Sequence, residues 1–188
     1  MTLPAVQGRE IVAAWFGAAF SHLDPRLQAL HDHGGVLRGP CRVQYGKGLA
    51  GIAGRILAGR LGIIDVDGNA TLTVTVTGDA AGMLWSRRFN EGPAFVSHFE
   101  PVGHFPDGYW LERSGPIRLR FGVAIKDGGW HWQQQRASWL GIPLPARLMP
   151  RTIASKTAID GAYVFSVAVH FPLLGEVLSY RGTLALIA

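Results

Sequence analysis

The stretch 117–139, IRLRFGVAIKDGGWHWQQQRASW, admits few structures. Ile117, Leu119, Phe121, Val123 and Ile125 alternate with Arg118, Arg120, Gly122, Ala124 and Lys126, the two-residue period of a strand that buries one face. Asp127-Gly128 then supplies a two-residue turn, whose glycine accepts the positive φ of a type I′ hairpin. A long β-hairpin is the expectation. Counted from that turn, Ile125 faces Trp130, Val123 faces Trp132, Phe121 faces Gln134, Leu119 faces Arg136 and Ile117 faces Ser138. One extra residue in the returning arm would invert everything beyond it.

The hairpin has helices before it and strands on both sides. Ile11, Ala14, Trp15, Ala18 and Ala19 recur at three- and four-residue spacing over 9–21, which predicts an amphipathic helix. Asp24-Pro25 reads as an N-cap with proline at the first helical position of a second helix, running to about His31. A strand over 37–45 and a helix over 49–61 follow. After Gly68 strand succeeds strand: 71–77, 83–89, 94–100, 109–113, the two arms of the hairpin, 152–160, 162–171 and 176–187. The proline-rich segment Ile142-Pro143-Leu144-Pro145, with Pro150 beyond it, cannot hold a central strand. The expected fold is α+β and mainly antiparallel β, with N-terminal helices followed by a long meander. Such a meander forms a curved sheet, half-barrel or barrel, since a long open sheet leaves unpaired edges. One domain over 1–188 is expected, with a helical part (1–62) and a β meander (69–188).

Composition narrows the function. The 188 residues are 48% hydrophobic and 16% charged, with 25 glycines and 11 prolines, as suits a globular β-rich chain. The lone Cys41 excludes an internal disulfide framework; it reads as a small buried hydrophobe rather than a reactive thiol. The N-terminal MTLPAVQGRE has neither the basic region nor the apolar core of a signal peptide, and no run reaches the ~20 apolar residues of a membrane span. A cytoplasmic protein is expected. The net charge of +5 favours anionic partners. The basic residues are scattered and form no Lys/Arg block, so nucleic acid is not an expected partner.

Three motifs compete for chemistry. Gly46-Lys47-Gly48-Leu49-Ala50-Gly51 matches the dinucleotide fingerprint, with Asp65 and Asp67 downstream. Its preceding strand alternates polar Arg42 and Gln44 with apolar residues, and no βαβ alternation follows; a turn and helix start is the simpler role. His31 and His33 could share one face of an extended segment as metal ligands, but no His/Cys pattern accompanies them. Capping or turn formation is the preferred role for the pair, and no metal or cofactor is expected. No GxSxG elbow marks a serine hydrolase.

The hairpin carries the remaining signal. Its register places Gln134, Arg136 and Ser138 on the apolar face beside Trp132, and Trp85 and Phe89 bracket Arg87 on one face of 83–89. Arginines on a core face must be paired or solvated. They either pair with Glu100, Glu112 or backbone carbonyls, or line an apolar-walled cavity that takes an acidic ligand. Arg87, Trp132, Gln134, Arg136 and Ser138 are therefore the candidate ligand-binding residues, with no catalytic residue among them.

Leu30-His31 with its following glycines, Trp85-Ser86-Arg87-Arg88-Phe89, Gly115-Pro116-Ile117, the Gly-Ile-Pro-Leu-Pro segment from Gly141, and Tyr180-Arg181-Gly182 resemble the bacterial domain-of-unknown-function family 4166. The resemblance runs from about Trp15 to Leu186. Such domains occur alone or behind saccharopine-dehydrogenase-like oxidoreductase domains, which implies a possible oxidoreductase partner and no transferable catalytic residues. The leading expectation is non-catalytic binding of a small, partly apolar, acidic or lipid-like ligand inside the curved sheet. The alternative is an interaction module whose basic outer strand face docks an oxidoreductase or another acidic surface.

Overall fold

The computed structural model describes residues 10–63, 66–79, 81–145 and 147–187; the first position of the helix expected over 9–21, and Asp65, lie outside them. Three helices are set among the strands: α1 (Glu10–Phe16), α2 (Pro25–His33) and α3 (Leu49–Arg60), with a 3-10 turn at Gly17–His22. The strands are β1 (Gly35–Tyr45), β2 (Gly68–Asp79), β3 (Gly82–Phe89), β4 (Phe95–Val102), β5 (Tyr109–Ser114), β6 (Ile117–Lys126), β7 (Gly129–Trp139), β8 (Ile142–Pro143), β9 (Arg151–Ile159), β10 (Ala162–Phe171) and β11 (Gly175–Ile187). Each long strand pairs antiparallel with its chain neighbours, β7 pairs with β9, and β11 returns to β1. The meander closes into a ten-stranded barrel, the closed form of the expected fold. The two-residue β8 only extends the outer edge of β7, where prolines forbid more.

Antiparallel order sorts the connections onto two ends. The β2–β3, β4–β5, β6–β7 and β9–β10 turns lie at one end with α1 and α2. At the other lie α3, the β3–β4, β5–β6 and β10–β11 turns and the long β7–β9 connection. A ten-stranded ring is wider than the eight-stranded barrel that side chains alone fill. Here α1 and α2 supply the missing filling. Val12, Trp15, Phe16, Leu23, Leu27 and Leu30 are buried. Trp15 packs edge-on against Trp110 at 5.4 Å and Phe16 against Trp130 at 4.7 Å. The Trp15 indole donates to the Val102 carbonyl at 3.2 Å, and the Asp24 N–H to that of Gly128 at 2.9 Å. The plug is thus tied to the rim it closes.

Glycines in the fingerprint segment and in and after α3 have a packing role. A Cβ on Gly54 of α3 would collide with the Val177 carbonyl of β11; one on Gly46 would meet Glu176 and Ala50. Small residues bring the α3 backbone onto β11 and across that end of the barrel toward Pro93, against which Gly62 packs. Among the described residues no helix is long and apolar enough to cross a membrane.

The central hairpin turns as predicted, with Asp127 and Gly128 both at positive φ. Ile125–Trp130, Val123–Trp132 and Phe121–Gln134 pair as counted; then the register shifts. Gln135 is the extra residue. Its side-chain oxygen accepts from Arg120 Nε at 2.8 Å, and its amide fills the space above Gly122. Beyond it Arg136 faces Arg120, Ala137 faces Leu119 and Ser138 faces Arg118. The expected pairings Leu119–Arg136 and Ile117–Ser138 are therefore wrong. The bulge turns Ala137 inward and leaves Arg136 exposed.

Candidate functional site

The barrel interior carries a polar column between aromatic walls, and it starts on α2. Asp24 caps this helix by accepting the Arg26 N–H at 2.8 Å, Pro25 opens it, and Gly34 ends it at φ 70°. Leu27, Leu30 and His31 form its buried stripe. His33 is exposed, its ring nitrogen bonded to the Ala29 carbonyl at 3.1 Å. The two histidines therefore diverge: His33 does serve the helix end, but His31 points into the barrel.

There His31 Nε2 hydrogen-bonds the Lys156 amine. Lys156 is 3% exposed. Its nitrogen lies 3.9 Å from the Trp130 ring centre, 4.3 Å from that of Trp85 and 5.5 Å from that of Trp132. Burial, reinforced by the Arg87 charge, holds the amine well below the usual lysine range. Burial and then the Lys156 charge likewise push the His31 imidazole down. A neutral pair joined by one hydrogen bond is the state such surroundings favour. An open cleft of about 270 Å³, walled by residues from Asp32 to Val36, Thr75 to Gly78, and Met83, reaches His31 from outside.

Farther along the barrel stands Arg87. Its Nη1 donates to Ser97 Oγ at 3.0 Å; Ser97 and Ser114 hydroxyls lie 2.9 Å apart, and Ser114 reaches Glu112 at 3.4 Å. Arg87 and Glu112 are 3.9 Å apart, with side chains 14% and 12% exposed. Aromatic rings of Trp85, Phe95 and Phe99 surround the guanidinium at 5.7–5.9 Å. Tyr163 and Tyr180 are buried, which raises both phenols above their ordinary value against the opposing pull of Arg87. The indole N–H groups of Trp85, Trp110 and Trp130 are buried with no protein acceptor.

The five candidate residues separate. Arg87 and Trp132 stand in this interior. Gln134 is engaged in structure: its amide donates to the Pro150 carbonyl at 2.6 Å and accepts the Thr152 N–H at 2.8 Å, clamping the β7–β9 connection. Arg136 is on the outside, and Ser138 is half-buried beside the short β8. Sequence reasoning missed Lys156 and the inward turn of His31. A signal existed in β9. Its isoleucines 153 and 159 are exposed while Ala154, Lys156 and Ala158 share the other face, so its pattern is apolar-out, with small residues and one lysine inward. Among the described residues no group of three or more metal-type ligands occurs. Cys41 is buried, and burial pushes its thiol up to about 12, the chemistry of an inert core cysteine.

Fold and interior together define a helix-plugged, ten-stranded antiparallel barrel with a basic, tryptophan-walled centre. The chain belongs to the family described as Domain of unknown function (DUF4166), whose model matches residues 23–184. Among curated proteins and solved structures nothing matches it.

Proposed function

We propose that the barrel binds a small, partly apolar, acidic ligand without transforming it chemically. The observation that carries this reading is the imbalance of donors over acceptors in the interior. Lys156 and Arg87 stand against one loosely placed carboxylate, Glu112, and three indole N–H groups lack a protein acceptor. Buried donors are as a rule satisfied, and a carboxylate or similar oxyanion is the group that several converging donors accommodate. The rings of Trp85, Phe99, Trp130 and Trp132 would hold its apolar part.

An anion beside Lys156 favours the charged amine, so binding takes up a proton. The test starts with native mass spectrometry of purified protein against its denatured mass, to detect a co-purified ligand. Calorimetric titration with aromatic and medium-chain carboxylates follows, in buffers of different ionisation enthalpy. Expected are binding with proton uptake, roughly ten-fold weaker binding or more in Arg87→Leu, and unchanged affinity in Arg136→Leu. No co-purified mass together with no carboxylate binding would sink the reading.

A further inference from the structure

We propose that the α3 end of the barrel docks on an anionic lipid bilayer. Three separate segments bring exposed apolar side chains to this end. On α3, Leu49, Ile52 and Ile56 form a stripe at helical spacing that faces away from the barrel. At the end of β7 Trp139 is 53% exposed, and in the connection that follows Leu140 is 73% exposed, with Ile142 beside it. Leu173, in the β10–β11 turn, is fully exposed and held at φ 67°. Single exposed apolar residues are ordinary, but several large ones gathered at one end mark an interaction surface.

Charge selects the occupant. Exposed Lys47 and Arg60 lie at the two ends of α3, and Arg136, Arg147 and Arg151 surround the β7–β9 connection. Among the described residues the acids at this end are fewer. Asp67 is already paired with Arg55 at 2.7 Å, Glu176 accepts from Ser179 at 2.7 Å, and Glu91 lies in the β3–β4 turn. Apolar side chains fringed by basic ones fit the boundary of a bilayer with anionic headgroups, where apolar burial and electrostatic attraction add. The opposite end is filled by α1 and α2. The proposal stands whether or not the interior holds a ligand.

The protein carries its own reporter. Of six tryptophans, five are buried and Trp139 is half exposed. The experiment is co-sedimentation with phosphatidylcholine vesicles with and without phosphatidylglycerol, at low and high salt, read with tryptophan fluorescence. Expected are partition to the anionic vesicles, weakened by salt, and a blue shift that Trp139→Phe abolishes. Ile52→Asp with Leu140→Asp should cut partition at least ten-fold; both sites are exposed, and an unchanged melting temperature verifies the fold. Absent partition, or partition that neither the double variant nor salt alters, overturns the proposal. So does a stable dimer in light scattering that the double variant dissociates, because the face would then be covered by a second copy.

Discussion

Lys156 sets the protein's least comfortable balance, because a primary amine is held away from water among three indoles with only His31 to meet it. Its pKa in the folded state lies below the ordinary 10.5. Between those two values the unfolded chain binds a proton that the folded one does not, so this residue's contribution to stability rises with pH. Lys156→Met should therefore stabilise the protein by roughly 1–3 kcal/mol at neutral pH. That advantage should shrink as pH climbs toward 10.5. Urea melts of the two proteins at several pH values between neutrality and 10 measure it; a pH-independent difference would show that the amine stays charged when folded. Cys41 and the buried tyrosines work in the opposite sense, losing stability as pH rises past their ordinary values. They are common to both proteins and cancel in the comparison.

At the scale of elements, α3 shows how one residue type serves opposite ends. Ala is the better helix former, by about 1 kcal/mol over Gly. Gly59→Ala, with open space around the added carbon, should stabilise by up to that amount. Gly54→Ala would drive a methyl group into the Val177 backbone and should destabilise by about 2 kcal/mol or more, as overpacking does. Thermal melts of the pair separate propensity from packing. The central hairpin divides in the same way between what local sequence specifies and what it does not. Asp127-Gly128 was readable because the turn needs positive φ at adjacent positions. The bulge was not, because Gln133, Gln134 and Gln135 are chemically alike and only their partners, Pro150, Thr152 and Arg120, decide which is extra. Arg87 and Trp132 could be placed inside from the alternation of their own strands. The Lys156–His31 contact spans 125 residues and depends on barrel closure and helix insertion, which no local pattern encodes.

For the whole molecule, closure is the organising fact. Helices α1 and α2 fill one end, the ring encloses a basic aromatic centre, and the apolar rim lies at the end opposite the plug. None of these features comes from a single segment: the plug draws on α1 and α2, the rim on α3, the β7–β9 connection and the β10–β11 turn, the centre on α2, β3, β4, β5, β7 and β9. Pairing of β1 with β11 joins residues as far apart as Val36 and Ile187. Loop closure on that scale slows folding, so single-exponential refolding from urea should be slow for a chain of this size. A version with 175–187 deleted should aggregate rather than refold, which light scattering during dilution from urea detects. Retention of a soluble, cooperatively melting product would show that the ring tolerates a gap.

The same β1–β11 seam has a consequence for the protein as it is made. Until residue 187 or so has left the ribosome, β1 and β10 both lack a neighbour. Every nascent chain thus passes through a stage with two bare strand edges side by side, each able to recruit another chain. The exposed edges are the two strands that β11 later covers: one rich in basic residues, with Arg38 and Arg42, the other nearly uncharged. Nascent chains are therefore expected to meet most dangerously through β10, and the interval before β11 arrives is when a holding chaperone has its work to do.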